Sequence, residues 1–412
     1  MSLKKYTLKH RNRLLLCLIF ALSSLMILMF NSRSSFLYPD NGWVDAQAFY
    51  TVGRGWMHGL IPYRDLFEQK GPLLYLLYGL GSLIDPHGFG GIFLFEWISL
   101  TISAYWISRC CSLLIREKLS VFVTVASLIL LTSNASFEHG GSAEEFLFPA
   151  FFYSLYSFMA FFRGKEMGWK TLLANGLMAG LVLVTKFNLL GFWFAWMMLV
   201  FFRLCFQKKW LEGIRACFIF LGGMILPLAG FVLYFLFAGA LPEFIDGYFL
   251  FNMGSYTDAS EKLSLAMRGR YIWNAVYTSF MDRSRMSLFL LAGLAWLLLC
   301  HPLLGICILV LFVFTCLGVY FSGTYYYYYY LFPSLFSIFA CMGVFWAIDW
   351  LLRKIRIMPE AVRQVIYTGL LIAAFGWGLY ESPNAFSETF MMPEEDRWYS
   401  QMIDYMDQYQ CH

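Results

Sequence analysis

Within seven positions, Arg64, Asp65, Glu68 and Lys70 stand together in PYRDLFEQKGPLLY (62–75), directly ahead of an apolar run. Lys and Arg bind phosphate oxygens, Lys as a point charge and Arg as a fork, and both act more strongly where the dielectric is low. Lys186, Arg268 and Arg270 join Arg64 and Lys70 as cations on what reads as one face of the protein. A carboxylate at a water–hydrocarbon boundary is partly desolvated, which raises its proton affinity toward the range useful for a general base; a neighbouring cation opposes that shift. Asp45 has such an address, in the first turn of an amphipathic stretch. Glu144 and Glu145 stand just before a span, where an unpaired charge is costly unless it faces a wet cavity. The chemistry these residue types suit is proton transfer and the binding of phosphate-type anions.

Each residue also has a plainer use. Asp45 can simply favour the dipole of its helix. Arg64 and Lys70 can snorkel toward headgroups or pair with Asp65 and Glu68. Arg268 and Arg270, in KLSLAMRGRY, also read as a solvated loop, as do Glu144 and Glu145. The run YYYYYY (325–330), at the end of a span, suits an aromatic belt, or stacking on a sugar face or prenyl chain. His58, His87 and His139 belong to no catalytic or metal-type constellation. Asp45, Glu68 or a loop Glu would offer hard oxygens to a divalent cation such as Mg or Mn, although no fixed ligand spacing supports one.

The elements that must position these groups are membrane helices. Of 412 residues, 60% are apolar, 20% aromatic and only 14% charged, with mean hydropathy +0.61. That excess exceeds what a soluble core can hide, and it predicts an all-α polytopic membrane protein. The ten Cys contain no CxxC pair and read as small packing residues. The net charge of +4 gives no reason to invoke nucleic acid. The basic start (Lys4, Lys5, Lys9, Arg11, Arg13) and the apolar run after it predict a retained first helix rather than a cleaved signal.

Apolar windows near 14–30, 90–108, 119–133, 146–162, 171–185, 189–202, 217–237, 286–300, 303–321, 331–352 and 364–380 predict about eleven spans. With a cytoplasmic N-terminus, most of the 30 Lys and Arg fall in the inner loops, while most of the 26 Asp and Glu fall on the other side. The prediction is one transmembrane domain over 1–380 and a short extracytoplasmic tail over 381–412. The first extracytoplasmic loop, 31–89, should hold interfacial helices. One is amphipathic over 44–57, with Val44, Ala48, Phe49, Val52, Trp56 and Leu60 on its apolar side; the other, 72–84, is too short to cross.

Asp45-x-x-x-Phe49, Gly53-Arg54, Gly59 and then Pro62-Tyr63-Arg64-Asp65-x-Phe67-Glu68-x-Lys70-Gly71-Pro72-Leu73-Leu74-Tyr75 resemble the first extracytoplasmic loop of GT-C class membrane glycosyltransferases. That superfamily includes protein mannosyltransferases and lipid A aminoarabinose transferases. FEHGGSAEEFLFP (137–149) is similar to the acidic second outer loop of bacterial members, and Gly176-x-x-x-Gly180 with Lys186-Phe187-Asn188 extends the likeness across the first half of the chain. The resemblance implies Asp45 as catalytic base, with Asp40 as its alternate. It implies that Glu68 helps to bind metal or position substrate, and that Lys70 approaches a lipid phosphate. One extra residue between Glu68 and Lys70, and Gly71 in place of a Pro, depart from the aminoarabinose transferase pattern. Tyr also stands where relatives carry a His before a Pro like Pro333.

The expectation is an inverting glycosyltransferase of a bacterial plasma membrane, with its active site extracytoplasmic. It would move a sugar from a polyprenyl-phosphate donor to an envelope glycan, lipid or protein. Two alternatives remain at this stage: a lipid-linked oligosaccharide flippase or transporter, and an envelope glycan polymerase or ligase using a diphosphate-linked donor. A transporter should carry charges near the midplane of broken spans, whereas here they collect at one face.

Overall fold

The computed structural model describes residues 3–254, 265–354 and 358–393; no side chain before Leu14 is described, nor that of Leu265. It is helical throughout, and among the described residues its only β-type pairing is an isolated bridge between Pro62 and Leu66. The chain begins with α1 (Leu3–Asn31), whose Leu14, Leu15, Leu18, Leu22 and Met26 are exposed while Phe20, Ile27 and Leu28 are buried. An apolar residue left exposed at helical spacing on one face is what a bilayer, rather than water, would cover.

Two helices follow on the near side of the bundle: α2 (Val44–Met57) and α3 (Pro72–Ile84). The expected amphipathic helix has the predicted bounds, but its buried face is Ala46, Phe49, Val52 and Gly53; Val44 and Leu60 are exposed. Gly53 and Gly79 let α2 and α3 cross backbone to backbone, since a Cβ on either would collide with the other. Together with Phe235, Phe244 and Tyr248 they build a second apolar core, distinct from that of the main bundle. The first loop is thus a packed layer.

The first half of the bundle comprises α4 (Gly90–Leu114), α5 (Glu117–Thr132), the one-turn α6 (Ala143–Phe146), α7 (Phe148–Phe162), α8 (Trp169–Leu183), α9 (Gly191–Phe206) and α10 (Trp210–Phe237). Asp85 caps the entry to α4 by accepting the N–H of Gly90 at 2.9 Å. Gly176, Gly180 and Gly223 bring α8 and α10 close enough that a Cβ would strike the opposing backbone, the small-residue contact expected between helices in lipid.

Past α11 (Leu241–Phe244) the chain takes a π-helical stretch, Ile245–Leu250, into α12 (Phe251–Gly254). Then come α13 (Leu265–Asp282), α14 (Ser284–Cys300), α15 (Pro302–Val319), α16 (Leu331–Ser334), α17 (Ile338–Lys354) and α18 (Glu360–Glu381). The chain bends by 102° between α13 and α14.

Among the described residues, seven helical stretches are long and apolar enough to cross a membrane, or eight if the bent pair counts as one span. The chain is therefore an all-α polytopic membrane protein. Of the remaining expected spans, α5 has 16 residues and α7 and α8 have 15 each, short of the roughly 20 that an untilted crossing requires.

The segment after α18 folds back onto the first loop. Asn384 donates to the carbonyls of Asn31 and Glu138, accepts Arg33 Nε at 3.0 Å, and offers its own carbonyl to the Tyr38 hydroxyl at 2.9 Å. Residues 394–412 of the expected tail lie outside the described residues.

Candidate functional site

Two loops carry the two central lysines and are stitched together. The N–H of Gly71 donates to the Thr185 carbonyl at 2.9 Å and that of Leu73 to Val184 at 3.1 Å. Only glycine fits at 71, because a Cβ there would run into the Val184 carbonyl. Lys70 and Lys186 consequently sit on one framework.

The charged stretch that opened the sequence divides within this framework. Arg64 and Asp65 form an exposed pair, with Arg64 Nε 2.9 Å from Asp65 Oδ1, and Asp65 also accepts the N–H of Ile61 at 2.7 Å. They close a turn in which Tyr63 adopts φ +69, a left-handed conformation uncommon outside glycine. Glu68 and Lys70 turn inward. Glu68 Oε2 accepts the Tyr75 hydroxyl and the N–H of Lys70, the latter at 2.8 Å; Lys70 Nζ stands 3.8 Å from Glu68 Oε1 and 5.6 Å from the centre of the Phe49 ring.

Lys186 is buried and ion-paired with Glu144, which is also buried. Its ammonium lies 4.6 Å and 4.7 Å from the ring centres of Tyr328 and Tyr329, so two aromatic faces replace part of its hydration. Burial lowers the Lys186 pKa; Glu144 opposes that and Lys70 adds to it. Trp43, the residue before α2, packs edge-on against Tyr328 at 5.6 Å, which ties the start of Asp45's helix to the same cluster.

Asp45 lies in the first turn of α2, half-buried. Burial raises its pKa above the ordinary aspartate value; Lys70 and Lys186 pull it down, and Glu68 and Glu144 push it up. Burial and the two lysines therefore act on this carboxyl in opposite directions. Asp40 associates electrostatically with Arg33 instead.

A cavity of about 1190 Å³ opens beside this cluster. Its walls expose mostly apolar surface, and the basic side chains on them are Lys70, Lys186 and Arg268; among the described residues no Asp or Glu lines it. Asp45 is not on the wall but is in electrostatic range of the two lysines that are. Arg270 and Arg64 do not line the cavity. Glu145 does not line it either and is buried against Glu96 of α4.

Sequence reasoning missed Glu96, although a carboxylate inside an apolar span is itself a signal. It also missed Tyr248 and Asn252 on the cavity wall, and gave Asn188 only as part of the Lys186-Phe187-Asn188 likeness. Tyr328 and Tyr329 were legible only as part of an undivided tyrosine run. Within that run Tyr330 is buried against Ser287 and Tyr325 donates to Asp282 at 2.6 Å.

No group of three or more His, Cys, Asp or Glu that could hold a metal occurs among the described residues. Glu68 fits a metal poorly for a chemical reason: its oxygens already accept a hydroxyl and an N–H and face an ammonium. Compared with known proteins, the chain matches no family model, and no curated protein matches it.

Proposed function

We propose that this protein is an inverting glycosyltransferase of the GT-C type, moving a sugar from a polyprenyl-phosphate donor to a hydroxyl on an envelope glycan, lipid or protein. The observation that carries this reading is the cavity wall: three basic side chains and, among the described residues, no carboxylate, on a surface that is otherwise largely apolar. A prenyl chain suits the apolar part, and the phosphate suits Lys70, Lys186 and Arg268.

In the reaction the acceptor oxygen forms a bond to the anomeric carbon as the bond from that carbon to the phosphate oxygen breaks. The departing electron pair stays on polyprenyl phosphate, where the lysines meet the growing negative charge. The acceptor proton passes to Asp45. Attack opposite the leaving phosphate inverts the anomeric centre. Tyr328 and Tyr329 offer ring faces to the sugar.

This reading takes α5, α7 and α8 as short spans beside the eight longer ones, eleven in all, with the Asp45 face outside the cytoplasm. No metal enters it.

The test uses purified protein in sealed vesicles with a polyprenyl-phosphate donor labelled in the sugar, together with extracted envelope acceptors. Label should appear in a new glycosidic bond with release of polyprenyl phosphate. Net translocation of the donor without a new bond would establish a transporter instead. Turnover of only a diphosphate-linked donor would establish a polymerase or ligase.

A further inference from the structure

Adjacent residues Glu144 and Glu145 meet burial in different ways. Glu144 has a lysine; Glu145 is fully buried and no ion pair reaches it among the described residues. Glu145 Oε2 accepts the N–H of Gly141 at 2.9 Å, while its buried Oε1 has no hydrogen-bond partner. The equally buried Glu96 accepts the Ser32 hydroxyl on both oxygens, at 3.1 and 2.8 Å; a side chain at Gly140 would strike Glu96 Oε1, so the two carboxyl groups flank one two-glycine turn and act on each other electrostatically. Ionised carboxylates are acceptors only and repel one another in a dry interior, so two of them buried side by side call for a proton on one.

We propose that Glu96 and Glu145 share a single proton, and that this carboxyl–carboxylate pair is a latch that positions the first turn of α2 and hence Asp45. The linkage is continuous. Glu145 holds the N–H of Gly141 in a two-glycine turn whose φ angles, +80 and +79, exclude most side chains. The turn's carbonyls are held in their own right: Gly141 accepts the Tyr78 hydroxyl at 2.7 Å and Gly140 accepts Asn41 Nδ2 at 3.0 Å. Asn41 in turn accepts the N–H of Trp43 on its side chain and Gln47 Nε2 on its carbonyl, at 3.2 and 3.0 Å. Both bonds fix the entry to α2. If the shared proton leaves, two anions face each other in a dry interior, and their repulsion drives Glu145 off Gly141 and frees the turn.

Other polar groups do not replace that proton. Tyr78 comes from α3, Ser32 and Ser34 from the segment after α1, and α7 begins with FPAFF, which titrates nowhere. His139, in the same loop, is held neutral by burial and by Arg33, its pKa lowered to about 4. Glu144 is committed to Lys186. Burial and the charge of Glu96 raise Glu145 well above the usual glutamate value. The folded protein therefore keeps a proton that the unfolded chain releases in the ordinary carboxylate range, so this contribution to stability declines as pH rises from there to the raised value.

The inference rests on the proposed function only in naming Asp45 as the group positioned, and its test needs no transfer activity. Infrared spectra of the full-length protein in lipid vesicles at neutral pH should contain a protonated-carboxyl band. Glu145→Gln and Glu96→Gln should each remove one carboxyl's share of it, whereas Asp45→Asn should not. Thermal melting should fall with rising pH in the wild type and flatten in both Gln variants, whose amides supply the bridging N–H permanently. Absence of the band from the wild type, which requires no variant to fold, overturns the proposal. So does a band, or a pH slope, that both Gln variants leave unchanged.

Discussion

Two charged clusters occupy opposite ends of the helices, built from the same residue types and solved differently. At the end that carries Asp45, Lys186 and Glu144 pair with side-chain exposures of 8% and 2%. At the other end, Asp349 accepts the Tyr367 hydroxyl and Arg353 Nε, both at 2.8 Å, with Arg116 3.6 Å away. The arginines there are 50% and 41% exposed, and the nearby pair of Lys118 and Glu360 is more exposed still. The Asp349 cluster ties α5, α17 and α18 together at a surface where water screens the charges, and the space beside it is only about 20 Å³. The Lys186 cluster borders about 1190 Å³. A buried ion pair is poor at adding stability, so the position of the first cluster makes sense through what enters the cavity, and that of the second through the joining of helices.

The sharpest break between the two ends should come from Asp45→Asn. It is expected to lower sugar transfer by about 100-fold or more, measured as initial rate, with abundance and melting temperature unchanged. Full activity in that variant removes Asp45 as the base.

Lys186→Met should follow, destabilising the fold by about 3–5 kcal/mol because Glu144 is left buried and unpaired. Adding Glu144→Gln should restore the melting temperature but leave transfer impaired. Recovery of both would make the pair merely structural.

Lys70→Met is a subtler probe. A base must be deprotonated, so activity falls as pH drops through the Asp45 pKa, and Lys70 holds that pKa down. Removing it should move the acid limb of the rate profile to higher pH; a limb that stays in place or moves down separates Lys70 from Asp45. The smallest effect is expected at the far end, where Arg116→Ala should cost no more than about 1 kcal/mol in thermal melting and leave transfer at wild-type rate. A large loss of activity there would abolish the contrast.

Much of the architecture was readable because the hydrophobic period is strong. The bounds of α2 and α3 follow from apolar spacing and from Pro72 at the start of α3. The orientation of α2 was less readable, since Val44 and Leu60 fit the stripe but sit at the helix ends, where little covers them. Short elements resisted most. In the single turn of α6 no periodicity can say that Glu144 turns to Lys186 and Glu145 to Glu96. Arg268 and Arg270, two positions apart on α13, fall on different sides of a helix, and only the first reaches the cavity. Arg64 was chosen for its charge, but Asp65 next to it had already satisfied that charge at the surface.

The clasp made by Asn384 bears on biogenesis. It closes on the backbone of Asn31, 353 positions earlier, and of Glu138, 246 positions earlier. A ribosome has therefore threaded nearly every span into the lipid before the fastener for the first extramembrane layer emerges. Until then that layer has to wait in an unfinished state, open to proteases and chaperones on its side of the bilayer.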